Sequence, residues 1–227
     1  MRKFMNPSRL WGSEGGPDEG WIKPHVLWLP QDDPQVLDYF SRLREVVARF
    51  PDVITPIADE DLHMTIQSIR KLNTSGARVD EKQLAAAAVA VQAALDGMAP
   101  FDIQIGPARA SGSAGIVEIW PEDAPAELNR RVRKGLLAAG MDLPPAEQHY
   151  WCHMSCGYGA QDSDTPELAA RSDQFASEIG KSIRPGIRTS ATVSTLWLVW
   201  EQQVPARNTY TFTRVHELHL NKNGAQS

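Results

Sequence analysis

The sequence predicts an α+β fold in which antiparallel strands are joined by helices. Segments whose apolar residues alternate with period two are interspersed with four segments whose apolar residues recur at helical spacing. A Gly- and Ser-containing connection, residues 109–115, predicts a hairpin between two neighbouring strands. The order of elements repeats in kind along the chain, so we expect two similar halves. Strand runs joined by helices and hairpins favour antiparallel sheets.

The first half is predicted as a strand, a helix, two strands and a second helix. Pro34 stands near the start of the first helix, and the Ala-rich second helix is closed by Gly97 and Pro100. The predicted strands are His25–Leu29, Val53–Pro56 and Asp61–Ile69, and the predicted helices are Asp33–Phe50 and Asp80–Met98.

The second half continues with a hairpin, a helix, a strand, a helix and a closing pair of strands. Gly140 ends the first of these helices. The predicted strands are Phe101–Ile105, Gly115–Trp120, His149–Gly157, Thr189–Glu201 and Thr209–Leu220, and the predicted helices are Asp123–Ala139 and Pro166–Ile183.

The chain ends differ in composition from the segment between them. Residues 1–20 are rich in Gly, Pro, Ser and Asn and predict a flexible leader, and residues 221–227 predict a frayed tail. Residues 21–220 are therefore expected to form a single domain. No apolar stretch is long enough for a signal peptide or a membrane span, so a cytoplasmic location is expected.

The charge balance bears on the class of partner. The chain carries 28 acidic and 23 basic residues, with a net charge of −5. Proteins that follow a long phosphate backbone usually show a basic excess, because each phosphate contact requires a Lys or Arg. Extended RNA is therefore disfavoured, whereas a local basic rim could still hold one nucleotide end. We expect no membrane partner.

Two cysteines, Cys152 and Cys156, are too few for a disulfide framework. Four residues apart on a strand, they lie roughly 13 Å from each other, beyond the reach of a disulfide. A zinc site of these cysteines with His149 and His153 requires all ligands to converge. A strand directs the histidines and cysteines to opposite faces, whereas a helix would place them on one face, so this exclusion depends on the strand prediction.

Two predicted strands carry the same pair of polar groups. In Asp61–Ile69, period two places His63 and Thr65 on one face and apolar residues on the other. In His149–Gly157, it places His153 and Ser155 on one face. One such match in a chain with six histidines is weak evidence. Two matches inside predicted strands, each backed by apolar residues, indicate a shared site.

The segments LHMTI at 62–66 and CHMSC at 152–156 resemble the motifs of the two-histidine (2H) phosphoesterase superfamily, in the branch of 2′-5′ RNA ligases and RNA 2′,3′-cyclic phosphodiesterases. The resemblance implies a bilobal fold with two antiparallel sheets flanking a central cleft and helices on the outside. Each lobe would supply one motif. Ser155 stands where Thr is commoner in the family, which keeps the hydroxyl donor.

The residue types suit the opening of a cyclic phosphodiester without a metal or a cofactor. Histidine can take a proton from water or give one to the leaving ribose oxygen near neutral pH. The hydroxyls of Thr65 and Ser155 can donate to the phosphate oxygens. We therefore expect a phosphodiesterase acting on a 2′,3′-cyclic phosphate, carried by a small nucleotide or an RNA terminus. Alternatives are RNA-end processing or 2′-5′ ligation, which would require a basic rim, and a non-catalytic nucleotide-binding module.

Five further residues are candidates for substrate binding. Trp151 shares the face of His153 and could stack on a nucleobase. Gln67 and Arg70 lie at and just beyond the first motif strand. Tyr210 and Phe212, on one face of the last strand, resemble aromatic positions that flank the cleft in this family. His149 is expected to be peripheral.

Overall fold

The computed structural model describes residues 1–6, 9–11, 21–181 and 187–221. The strands are β1 (Ile22–Trp28), β2 (Ile54–Pro56), β3 (Met64–Ser68), β4 (Phe101–Ala110), β5 (Ala114–Trp120), β6 (His153–Gly159), β7 (Thr189–Val193), β8 (Thr195–Val204) and β9 (Thr209–His219). The α-helices are α1 (Pro34–Val47), α2 (Glu81–Leu95), α3 (Asp123–Ala138) and α4 (Pro166–Gly180).

Three of the helices begin where the sequence places a capping side chain. The Asp33 carboxylate accepts hydrogen bonds from the first backbone amides of α1, and Pro34 follows as the first helical residue. Asp80 and Gln83 form a reciprocal capping box at the start of α2. Thr165 caps α4 through its hydroxyl. The predicted helices are therefore confirmed, with ends that differ by a few residues.

The strands form one curled antiparallel sheet in the order β7-β4-β5-β6-β3-β1-β8-β9, with β2 paired to β6. The α+β class and the two-lobed arrangement are confirmed, but the two expected sheets are continuous because β3 pairs with β6. One half of the sheet, β3-β1-β8-β9, combines strands from both ends of the chain. The other half, β7-β4-β5-β6, combines three strands from the middle of the chain with β7.

The predicted closing strand Thr189–Glu201 is wrong as a single element. The chain changes partners at Ser194: β7 pairs with β4, whereas β8 pairs with β1 and β9. The alternation shifts by one residue at this point, because the buried residues are Ala191 and Val193 in β7 but Leu196 and Leu198 in β8. The apolar residues of the sequence carry the same shift.

Two pairs of helices cover the sheet, one pair on each half. Helices α1 and α4 pack on the half that contains β4, β6 and β7, and α2 and α3 pack on the half that contains β3 and β9. Gly135 allows α3 to approach α2 closely, because a Cβ there would lie 2.5 Å from the Cα of Val91. Among the described residues, no helix is long and apolar enough to cross a membrane.

Both motif strands begin later than predicted. A single 3₁₀ turn, Asp59–Asp61, occupies the start of the first predicted strand, so His63 lies directly before β3. Residues 149–152 of the second predicted strand are not part of a strand, and β6 begins at His153. The predicted apolar reverse faces are present, since Met64 and Met154 are both buried.

The described part of the predicted leader is packed against the domain. Phe4 and Met5 lie on the sheet, where Met5 is buried and its amide donates to the side chain of Asn208. Residues 9–11 also contact the sheet, as described below. Positions 7–8 and 12–20 of the leader lie outside the described residues. In the predicted tail, Asn221 bridges to Asp96, and 222–227 lie outside the described residues.

Candidate active site

The two histidine motifs meet at the junction between β3 and β6, where Met64 is the Cα partner of Met154. Antiparallel neighbours run in opposite directions, so this register places His63 opposite Ser155 and Thr65 opposite His153. Both methionines are buried on the reverse face. The four polar side chains therefore share the other face, and each imidazole lies across from the hydroxyl of the other motif.

The dimensions of an antiparallel pair set the size of this four-residue face. Side chains directly opposite each other have Cβ atoms about 4.5–5.5 Å apart, and diagonal neighbours about 7–8 Å. His63 and His153 are diagonal neighbours, which leaves space for a group between the two imidazoles and brings a hydroxyl from each side.

A backbone carbonyl two residues earlier holds each imidazole in the same way. Nδ1 of His63 lies 2.9 Å from the carbonyl oxygen of Asp61, and Nδ1 of His153 lies 3.0 Å from that of Trp151. Since a carbonyl can only accept, each Nδ1 carries the proton and donates it. The lone pair of a neutral ring is then on Nε2, which is the nitrogen available for proton transfer.

Both imidazoles are neutral at pH 7. Burial lowers the pKa of His63 to about 4, and the neighbouring His153 adds to this effect against the opposing hydrogen bond to Asp61. Burial also lowers the pKa of His153, while its hydrogen bond to Trp151 and the nearby carboxylate of Glu147 act in the opposite direction. The charge of an anionic ligand between the two rings would favour protonation of one of them.

Aromatic side chains flank both histidines. The rings of Tyr210 and Phe212 meet His63 edge-on, with centroids 6.3 and 5.4 Å away. Trp151 stacks on His153 at 4.1 Å and is 45% exposed, so its outer edge faces solvent. These three predicted binding residues are thus brought to the four-residue face.

A small cavity of about 190 Å³ opens beside Thr65 and His153. Gln67 lines it but is buried, and its side-chain oxygen accepts hydrogen bonds from Asn129 and Arg133 of α3. The cavity is smaller than a usual ligand pocket of about 300–1,000 Å³ and would hold only part of a ligand. Gln67 is therefore held in place by α3 and forms part of the cavity wall.

Arg70 and His149 are not brought to the four-residue face. Arg70 follows the end of β3, where its guanidinium is 3.3 Å from the carboxylate of Asp142. His149 is exposed in the loop before β6. For His149 this agrees with the expectation that it is peripheral.

Several side chains near the site were not found from the sequence. Tyr158 is buried, and a hydrogen bond with Ser155 opposes the rise that burial causes in the pKa of Tyr158. Arg109 stands 5.8 Å from the ring of Trp151 and is paired with Glu118, whose Cα partner is His153. Arg109 and Glu118 reach the site through strand pairing, whereas Tyr158 lies on β6 itself, beyond the irregularity in its register with β5. Neither route follows from local spacing.

The two cysteines are free and buried, and burial raises the pKa of each thiol to about 12. This confirms the prediction that the two cysteines do not form a disulfide with each other. Cys152 contacts the sulfur of Met64, on the reverse side from the histidines. Within the described ranges, no group of three or more His, Cys, Asp or Glu residues is arranged to hold a metal ion.

A buried polar cluster lies on the next strands of the same half of the sheet. Lys23 is the Cα partner of Glu201, and Nδ1 of His25 lies 3.0 Å from a carboxyl oxygen of Glu201. Burial raises the pKa of Glu201 to about 8, with Lys23 opposing, and holds the pKa of His25 well below its usual value. Nδ1 of His25 also lies 3.3 Å from the backbone carbonyl oxygen of Lys23, to which it can only donate, and Oε2 of Glu201 has no hydrogen-bond partner among the described residues.

We expect Glu201 to make the protein less stable as pH rises. The pKa of Glu201 is about 8 in the folded state and near 4.5 in the unfolded chain, so only the unfolded chain releases the proton between these values. The contribution of Glu201 to the free energy of unfolding should therefore fall from pH 4.5 to 8, whereas the lowered pKa values of buried His25 and His63 act in the opposite direction below about pH 6.5. Glu201→Gln should remove this decline and exceed the wild type by about 2–4 kcal/mol above pH 8.

Urea denaturation at several pH values tests this expectation, with the exposed Glu217→Gln as the control variant. A Glu201→Gln curve parallel to that of the wild type from pH 4.5 to 9 would show that the buried carboxyl does not retain its proton.

Comparison with known proteins identifies the fold. No protein-family model matches the sequence, and no curated protein matches it. Among solved structures, a phosphoesterase matches with a TM-score of 0.60 and 13% identity over 88% of this chain and 99% of its own. E. coli LigT complexed with 3′-AMP matches with a TM-score of 0.58 and 13% identity, over 88% of this chain and 98% of its own. A Thermus thermophilus protein matches with a TM-score of 0.58 and 14% identity, over 89% of this chain and 98% of its own. The fold implied by the motif resemblance is confirmed.

Proposed function

We propose that this chain, whose fold is that of the 2H phosphoesterases, is a phosphodiesterase that hydrolyses a 2′,3′-cyclic phosphate or a related small nucleotide phosphodiester. The observation that carries the proposal is the pairing of Met64 with Met154. It gathers two imidazoles and two hydroxyls on one face, and this set matches the needs of in-line displacement at phosphorus.

In the proposed reaction, a water oxygen attacks phosphorus while the bond from phosphorus to one ribose oxygen breaks. His63 takes the proton of the water on Nε2, and His153 gives a proton to the departing ribose oxygen. We assign the base to His63, because burial lowers its pKa to about 4 and leaves Nε2 free to accept a proton. The bound phosphate anion favours the protonated form of His153.

Thr65 and Ser155 donate to the non-bridging oxygens of the phosphate in this scheme. Charge on these oxygens must be stabilised as the bonds to phosphorus rearrange, and donors already in place do so with little reorganisation. The backbone oxygen of Thr65 accepts a hydrogen bond of 2.7 Å from Tyr150, and Ser155 is bonded to Tyr158. The backbone of Thr65 and the hydroxyl of Ser155 are thus each held by a tyrosine.

A small nucleotide or an RNA terminus fits the surroundings of the site better than a long RNA. The net charge is −5, and the cavity beside Thr65 and His153 holds only part of a ligand. E. coli LigT, which has the same fold, has been solved with 3′-AMP, with ATP and with phosphate. These complexes support a nucleotide of similar size here, with the exposed edge of Trp151 available to a nucleobase.

The proposal is tested by incubating the protein with each of the four 2′,3′-cyclic nucleotides in the presence of EDTA and separating the products by chromatography. We expect conversion to a nucleoside monophosphate at an undiminished rate, because histidines supply both proton transfers. Absence of turnover with every nucleotide and with a cyclic-phosphate oligonucleotide would refute the phosphodiesterase assignment. Turnover that EDTA abolishes would refute its metal independence.

A further inference from the structure

Residues 9–11, here named the Trp11 cap, lie over the same half of the sheet as His63. The indole of Trp11 stacks on Tyr210 with centroids 5.5 Å apart and on His25 at 5.2 Å. Tyr210 in turn meets His63 edge-on. The side chain of Trp11 is therefore separated from the proposed base by a single aromatic ring.

Hydrogen bonds from buried groups hold the Trp11 cap in this position. Gln203 is fully buried, and its side-chain oxygen accepts from the amide of Trp11 while its amide donates to the carbonyl of Arg9, at 2.9 and 3.0 Å. Lys71 donates to the carbonyl of Trp11. The ammonium of Lys23 lies 4.2 Å from the centre of the indole. Both the backbone and the indole ring of the Trp11 cap are thus bound to the domain.

We propose that the Trp11 cap closes the His63 side of the cleft and restricts the enzyme to substrates that extend by no more than one nucleoside in that direction. This inference rests on the proposed function. A nucleotide chain leaving the phosphate past Tyr210 would meet the indole of Trp11, which already covers the ring surface that a second base would stack on.

The groups beneath the cap are those that would otherwise bind single-stranded RNA. Tyr210 and His25 offer aromatic faces, and the ammonium of Lys23 offers a cation beside them. Stacking on aromatic rings beside positive charge is the usual way in which proteins hold single strands. Removal of the indole should therefore both open space and expose a binding surface for a longer chain.

The test compares Trp11→Ala with the wild type on two substrates, a 2′,3′-cyclic mononucleotide and an oligonucleotide of about six residues that ends in the same cyclic phosphate. We expect the ratio of kcat/KM for the oligonucleotide to kcat/KM for the mononucleotide to rise at least about tenfold in Trp11→Ala. Trp11→Phe keeps a ring on Tyr210 and should leave the ratio within about twofold of the wild type.

Binding provides a second measurement that does not depend on turnover. The ratio of Kd for a 3′-phosphorylated oligonucleotide to Kd for the corresponding nucleoside 3′-phosphate should fall at least about tenfold in Trp11→Ala. Unchanged ratios in both measurements, with mononucleotide turnover intact in the wild type, would overturn the Trp11 cap alone. A wild type that hydrolyses neither substrate would overturn the proposed function, and the binding ratio would still decide whether the cap restricts ligand length.

Discussion

His63→Ala and His153→Ala should each lower kcat for cyclic phosphate hydrolysis by about 10²–10⁴-fold, the usual contribution of a positioned general acid or base. Each variant removes one of the two proton transfers, while the hydroxyls of Thr65 and Ser155 and the other residues that line the site remain. KM should change much less than kcat. The double variant should lose less than the product of the two single losses, because the two rings act as a pair.

The matched control for these variants is His149→Ala, since His149 is exposed in the loop before β6. We expect it to retain wild-type kinetics. Thermal unfolding of all variants separates a loss of catalysis from a loss of fold. Full activity in folded His63→Ala or His153→Ala would remove the paired-histidine mechanism.

The hydroxyl variants Thr65→Val and Ser155→Ala should each lower kcat by about 10²-fold, comparable to the loss of one donor to a developing oxyanion. Thr65→Val is close in shape to the natural residue, so its effect reports the hydroxyl and not the volume. The two losses should be similar if both hydroxyls donate to the phosphate.

Exchanges that keep the hydroxyl provide the comparison. Thr65→Ser and Ser155→Thr should retain activity within about tenfold of the wild type, measured with the same cyclic nucleotide. Equal losses in Thr65→Ser and Thr65→Val would mean that packing at this position matters and that the hydroxyl does not donate to the substrate.

The sequence predicted the helices well because each carries its own local signals. Pro34 and the cap at Asp33 begin α1, and the capping box of Asp80 and Gln83 begins α2. The strand prediction failed at Ser194 and at the starts of β3 and β6. At Ser194 the apolar alternation shifts by one residue, which marks the break, whereas the starts of β3 and β6 depend on where pairing with the neighbouring strand begins.

The predicted substrate-binding residues also differ in whether local signals were enough to find them. Trp151 was predicted from the strand face that it shares with His153, and Tyr210 from the family resemblance. Both lie beside the histidines. Arg70 was predicted from its place after the motif, yet it pairs with Asp142. Trp11, in a segment predicted as a flexible leader, stacks on Tyr210 instead. Contacts between residues about two hundred positions apart leave no trace in local spacing.

The sequence by itself determined which four side chains form the candidate site and which apolar residues support them, because period two along a strand separates a polar face from a buried one. Only the tertiary structure decided how the four are arranged. The register at Met64 and Met154 places His63 opposite Ser155 and His153 opposite Thr65, and burial then makes both imidazoles neutral. The pairing of distant strands and the exclusion of water both arise from the assembled sheet and not from either motif alone.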